Sequence, residues 1–145
     1  MLKVSTRGRY ALRAMVDIGL HQAGGPVLRN QIAERQAISA NYAAQLFRGL
    51  VSSGLVRSTK GPGGGYELAK PSSEIRAGDV LRAIEGPIAL VHCVLKDDAT
   101  PCGRIEHCVT HRLWSELSLK MAAHLDSVTL EDLIRDAKRL ERRLD

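Results

Sequence analysis

The strongest constraint on this chain is the run IAERQAISANYAAQLFRGLVSSGLVRSTKGPGGGYELA, residues 32–69. It opens inside a short helix predicted over Arg29 to Gln36, with Ile32 and Ala33 facing inward. A second helix begins after only two or three residues. Ser39 suits its N-cap, Leu46, Phe47, Leu50 and Val51 recur at helical spacing as its buried stripe, and Gly54 stops it. Two helices joined this tightly form the helix-turn-helix pattern. Next come two short strands around a glycine-rich turn, in which Gly63, Gly64 and Gly65 are expected to supply the positive φ that a tip requires. A helix-turn-helix followed by a small hairpin is the outline of a winged helix.

The flanking sequence is helical as well. Tyr10, Ala11, Ala14, Met15 and Ile18 form an amphipathic stripe running from about Ser5, which suits the N-cap, to about Gln22, where AGGP ends it. Val80, Leu81 and Ile84 mark another helix, closed by Gly86 and Pro87. Leu113, Leu117, Met121, Leu125 and Val128 draw one apolar seam along a long helix. Thr129 and Asp132 have capping-box spacing and open a last helix to about Leu144. The expected fold is mostly α, a winged helix-turn-helix with a two-stranded β-wing and a long helix near the C-terminus.

Charge says what the first half meets. Residues 1–70 carry ten Lys and Arg against three acids, a net of +7, while residues 71–145 come to −2. A basic half beside a near-neutral one points to a polyanion, and the helix order makes it double-stranded DNA. Ser39, Asn41, Tyr42, Gln45 and Arg48 are the candidates for base reading: Asn and Gln can pair with adenine, Arg with guanine. Arg57 and Lys60 flank the wing and Gly63 and Gly64 form its tip, all candidates for phosphate or minor-groove contact. No run approaches the roughly 18 apolar residues of a membrane span, and the first residues do not read as a secretory leader. The chain is therefore expected in the cytoplasm. No Cys-x-x-Cys, nucleotide loop or carboxylate pair argues for an enzyme.

One stretch fits none of this. HCVLKDDATPCGRIEHCVTH, residues 92–111, holds all three cysteines and three of the five histidines, with no helical or strand period. The order is Cys93-x8-Cys102-x5-Cys108-x2-His111. Cys108 and His111, three apart at a helix entrance, can share a face. Three thiolates and an imidazole suit tetrahedral zinc or an iron-sulfur cluster. No two cysteines stand two to four apart, the spacing usual for structural zinc.

STRGRYALRAMVDIGLH, the run from Ile32 to Lys70, and VTHRLWSELS together resemble the Rrf2 family of winged-helix regulators, most nearly its iron-sulfur-binding members. The resemblance covers nearly the whole chain. It implies a [2Fe-2S] cluster on Cys93, Cys102, Cys108 and His111, with [4Fe-4S] or zinc as alternatives. It also implies a homodimer on a palindromic operator, joined through Leu113, Leu117, Met121 and Leu125, which answers the need of that seam for a partner. The implied plan is a DNA-binding unit (1–85), a cysteine-rich loop (86–111) and dimerisation and C-terminal helices (112–145), sensing iron, redox state or nitric oxide. A zinc-stabilised constitutive repressor is the alternative function. The chain departs from the family in three places. The gap between Cys93 and Cys102 is longer, Arg9 stands where some relatives place a carboxylate, and Ala43 and Ala44 occupy a stretch that is acidic in relatives. His92 and His107 are spare donors, and Trp114 lies on the face of His111.

Overall fold

The computed structural model describes residues 1–95 and 102–145. Its order is α1 (Thr6–His21), α2 (Arg29–Gln36), α3 (Ala40–Ser52), β1 (Val56–Thr59), β2 (Gly65–Leu68), α4 (Ala77–Glu85), α5 (His111–Ser127) and α6 (Leu130–Leu144). Short one-turn helices fill several connections. No described helix is long and apolar enough to cross a membrane.

Caps set the helix starts where the sequence places them. Ser5 accepts from the Gly8 N–H, Ser39 from that of Tyr42, and Thr129 and Asp132 form the reciprocal capping box of α6. The core gathers Met15 and Ile18 of α1, Ile32 of α2, Leu46, Phe47 and Leu50 of α3, and Val80 of α4, each at most 1% exposed. Val51 departs from the expected stripe. It lies about 100° round the helix from Leu50, in the last turn of α3, and is 37% exposed.

The wing is antiparallel, with Val56 opposite Leu68 and Thr59 opposite Gly65. Val27 adds a further rung by exchanging backbone hydrogen bonds with Tyr66, both 2.9 Å. Positive φ falls on Gly61, Gly63 and Gly65, whereas Gly64 does not adopt it. Gly64 is buried for another reason: a Cβ there would strike the Thr59 carbonyl oxygen.

The core does not end at residue 85, the sequence-based edge of the DNA-binding unit. Leu130 and Ile134 of α6 are 1% and 8% exposed within the same cluster. Gly19 makes room for Ile134, because any Cβ on α1 at that point would collide with it. At the α5–α6 junction the Ala77 N–H donates to the Val128 carbonyl and the Leu130 N–H to that of Ile75 (2.9 and 2.8 Å). Val128 is thus an extended residue after α5 and does not continue its seam. Arg82 of α4 forks onto Asp126 of α5 with two 2.7 Å bonds. The long helix is therefore tied at its C-terminal end to the DNA-binding unit.

Candidate nucleic-acid interface and cysteine segment

α3 offers its polar side chains in one array. Ser39, Asn41, Gln45 and Arg48 are exposed and Tyr42 is half-buried. Positions 41, 45 and 48 follow one helical face. Ala43 lies at 0% exposure and Ala44 is half-buried, so Ala43 belongs to the core and reads nothing. Arg57, Lys60 and Gly63 are exposed on the wing, and Arg48, Arg57 and Lys60 enter no ion pair among the described residues. Gly64 is buried within the turn, which it shapes by its close approach to the Thr59 carbonyl, and its backbone lines a groove with Ser58 and Thr59.

Two further side chains escaped sequence reasoning. Arg29 and Asn30, at the start of α2, line one groove with Ser58, Thr59 and Gly61 of the wing. Their signal was weak, since one arginine and one asparagine at a helix start carry no pattern until the wing folds beside them. Phe47 stacks on Tyr66 with ring centroids 4.0 Å apart and planes at 18°, which locks the wing to α3. On the opposite side, buried Asp17 of α1 accepts a fork from Arg35 and a 2.8 Å bond from the Gln36 amide, holding α2 in place.

The cysteine segment is built around α5. Leu90 donates its N–H to the buried Ser118 hydroxyl at 3.0 Å, laying the chain before Cys93 along the helix. Cys93 is half-buried in a one-turn helix, His92–Val94, that packs on α5. Cys102 is exposed and Cys108 half-buried, and all three thiols are free. Residues 96–101, which contain the lengthened part of the Cys93–Cys102 gap, lie outside the described residues.

The entrance to α5 has the clearest chemistry. Cys108 Sγ lies 3.3 Å from the Thr110 hydroxyl. Hydrogen bonds from the Thr110 side chain, and then from the Thr110 and His111 backbone, lower the thiol's pKa from its ordinary value. His111 opens the helix, and its Nδ1 is buried with no hydrogen-bond partner among the described residues. An unsatisfied buried nitrogen costs about 1–3 kcal/mol, so this atom suits a ligand role. The donor set fits a metal or cluster of soft-ligand preference. The described residues do not, however, bring three or more His, Cys, Asp or Glu side chains within reach of one ion. Trp114 is half-buried one turn further on, and His92 and His107 are exposed.

The seam of α5 is uneven. Leu117, Met121 and Leu125 are half-buried, while Leu113 is 54% and Leu119 67% exposed. Met121 and Leu125 line an apolar groove with Leu2, Val4, Leu81 and Leu90, and Leu119 lines a second with Val94 and Leu95.

An exposed array of Asn, Gln and Arg on the second helix of a helix-turn-helix, backed by a basic wing, defines a winged-helix DNA-binding protein. Comparison with known proteins gives the same class. Residues 4–136 match the Rrf2 family model, described as an iron-dependent transcriptional regulator. The chain is 41% identical over 133 residues to the HTH-type transcriptional regulator IscR of Serratia proteamaculans, a match covering 92% of this chain and 79% of that one. Among solved structures it is similar to T. potens IscR (TM-score 0.74, 40% identity, 94% of this chain and 88% of that one). It is equally similar to CymR (YrzC), the global cysteine regulator of B. subtilis (TM-score 0.74, 39% identity, 93% and 98%). The chain belongs to the Rrf2 family and is a transcriptional regulator, not an enzyme.

Proposed function

We propose that this chain is a homodimeric regulator that binds palindromic operators and senses iron, redox state or nitric oxide through an iron-sulfur cluster on Cys93, Cys102, Cys108 and His111. The observation that carries the proposal is the entrance to α5, where the Cys108 thiol, biased toward thiolate, precedes by three residues a buried imidazole nitrogen with no hydrogen-bond partner among the described residues. A [2Fe-2S] cluster is the assignment, with [4Fe-4S] as its variant. Such a cluster, when bound, supplies reversible electron-transfer chemistry.

The chain's own residues do the rest. His111 begins α5, while Cys108 precedes it in extended backbone and so does not share a helical face with it; Cys93 packs on the flank of the helix. Drawing these donors together with Cys102 would fix Cys93, Cys102 and the turn at Cys108 against that helix, an ordering switch of a familiar kind. α5 in turn reaches α4 through Arg82 and Asp126. A second copy packed along Leu113, Leu117, Met121 and Leu125 would cover that apolar seam of α5 and fix the spacing of two α3 helices. Asn41, Gln45 and Arg48 read bases, Ser39 and Tyr42 sit at the groove-facing end of α3, and Arg57, Lys60 and Gly63 follow the backbone. Arg29 and Asn30 join them as phosphate contacts. A regulator of this kind works beside the chromosome, in the cytoplasm.

The zinc-stabilised constitutive repressor remains the second reading, because the same sulfur and imidazole donors suit zinc. Anaerobic purification with iron, acid-labile sulfide and zinc analysis separates the two. Visible absorption with iron and sulfide in equal amounts is expected. A colourless protein carrying zinc would overturn the cluster and leave the repressor.

A further inference from the structure

The chain has three tyrosines and one phenylalanine, and all four meet in two ring pairs that each include a residue of α3. Phe47 and Tyr66 form the pair next to the wing, and Phe47 lies deep in the core at 1% exposure. The other pair stands at the opposite end of α3. Tyr10 of α1 meets Tyr42 edge to face, with centroids 6.0 Å apart and planes at 85°. Both rings are only half-buried, and Tyr42 lies in the first turn of α3, beside the Ser39 cap.

A polar relay stands behind Tyr10. The guanidinium carbon of Arg13 lies 5.0 Å from the Tyr10 centroid, a cation–π contact. Arg13 Nε also donates to Gln36 Oε1 at 2.9 Å, and Gln36 Nε2 donates to Asp17 Oδ2 at 2.8 Å. Asp17 is 3% exposed and takes the Arg35 fork. The relay therefore runs from the buried Asp17 carboxylate, across α1 and α2, to a ring at the DNA-facing end of α3. Arg13 sits in the basic half of the chain, yet its guanidinium is committed to a ring and an amide.

We infer that Tyr10, steadied by Arg13, is a positioning residue for operator reading, holding the Tyr42 ring in place before DNA arrives. The inference rests on α3 being the reading helix. Tyr10 acts through Tyr42: an aromatic ring held in one orientation loses less freedom on binding than a free one, and that saving appears only where the ring makes a specific contact.

The experiment uses a duplex selected by the full-length wild-type protein from a randomised pool, beside a scrambled duplex of equal length. Tyr10→Leu is expected to weaken binding of the selected duplex by about three- to tenfold, the worth of an edge-to-face pair, with scrambled binding unchanged. Tyr10→Phe keeps the ring and should restore wild-type affinity. In a Tyr42→Ala background, Tyr10→Leu should cost nothing more. Should Tyr10→Leu fail to fold, Arg13→Met removes the cation from an exposed position and should shift affinity in the same direction. Equal losses on both duplexes, or an undiminished loss in the Tyr42→Ala background, would overturn the inference. A wild-type protein unable to tell the two duplexes apart would instead bring down the reading of α3, and the inference with it.

Discussion

The proposed reading end of α3 and the entrance to α5 are both short polar stretches at helix starts, yet they are finished to different degrees. At α3 the cap, the ring contacts and the Arg35 fork on buried Asp17 come from one chain, and the exposed side chains already form an array. At α5, Cys108 and His111 have suitable chemistry but their companions Cys93 and Cys102 are not gathered with them. A DNA-reading surface can be completed by folding alone, because its ligand is large and its contacts are many and individually modest. The proposed sensor site would gain from being left incomplete by folding. If folding alone closed it, occupancy would change nothing, and a ligand that leaves both states alike shifts no equilibrium.

The largest expected effect tests this difference at His111. Replacing His111 with Ala removes a buried nitrogen that has no partner among the described residues, so folding stability measured by urea titration of the metal-free protein should hold or rise. Retention of metal against a chelator should fall at least about tenfold, since even supporting residues of metal sites have effects of that size. Unchanged retention would remove His111 from the ligand set. A marked loss of metal-free stability would show that folding alone already satisfies the site, and the contrast with α3 would collapse.

The same difference explains what the sequence made legible. Ser5, Ser39 and Thr129 were readable as caps because capping is settled within four residues, and the winged-helix order followed from spacing alone. Val51 was misplaced because periodicity gives a stripe but not the point where neighbouring helices cease to cover it. Gly64 was assigned the wrong cause, since a close approach to the Thr59 carbonyl leaves no pattern in a run of three glycines. The return of Leu130 and Ile134 to the first core was invisible for a related reason: α6 is strongly amphipathic, but its stripe does not name the surface it meets. At the cysteine segment the donors were legible as a set, while their convergence depends on more than local sequence.

A smaller effect sharpens the α3 side. Arg48, Arg57 and Lys60 carry charge with no ionic partner among the described residues. If one of them neutralises a phosphate, its replacement by Ala should lower the slope of log affinity against log salt by about 0.9. Arg13→Met should leave that slope as it is, because its guanidinium is engaged at Tyr10 and Gln36. A fall of equal size for Arg13 would mean that the relay behind Tyr42 opens to meet DNA, and the array at α3 would be less finished than its contacts suggest.

The smallest effect lies where the two regions join. The Arg82 fork holds the Asp126 carboxyl below its ordinary pKa, against the partial burial that would raise it. A depressed carboxylate stabilises the fold above its unfolded value of about 3.9, and that contribution disappears as pH falls through the depressed pKa. Both side chains are about two-fifths exposed, 38% and 40%, so the pair is worth less than about 1 kcal/mol. Asp126→Asn should therefore lower the melting temperature slightly near neutral pH and match the wild type in strong acid. A deficit that persists in acid would assign the effect to packing against Gly78, whose backbone Asp126 also covers. Because this fork connects the end of α5 to α4, the same variant should also weaken the dependence of operator affinity on metal content while leaving metal content itself intact. An unaltered dependence would mean that the entrance to α5 and the proposed reading end of α3 communicate by another route, across the proposed dimer and not along the chain.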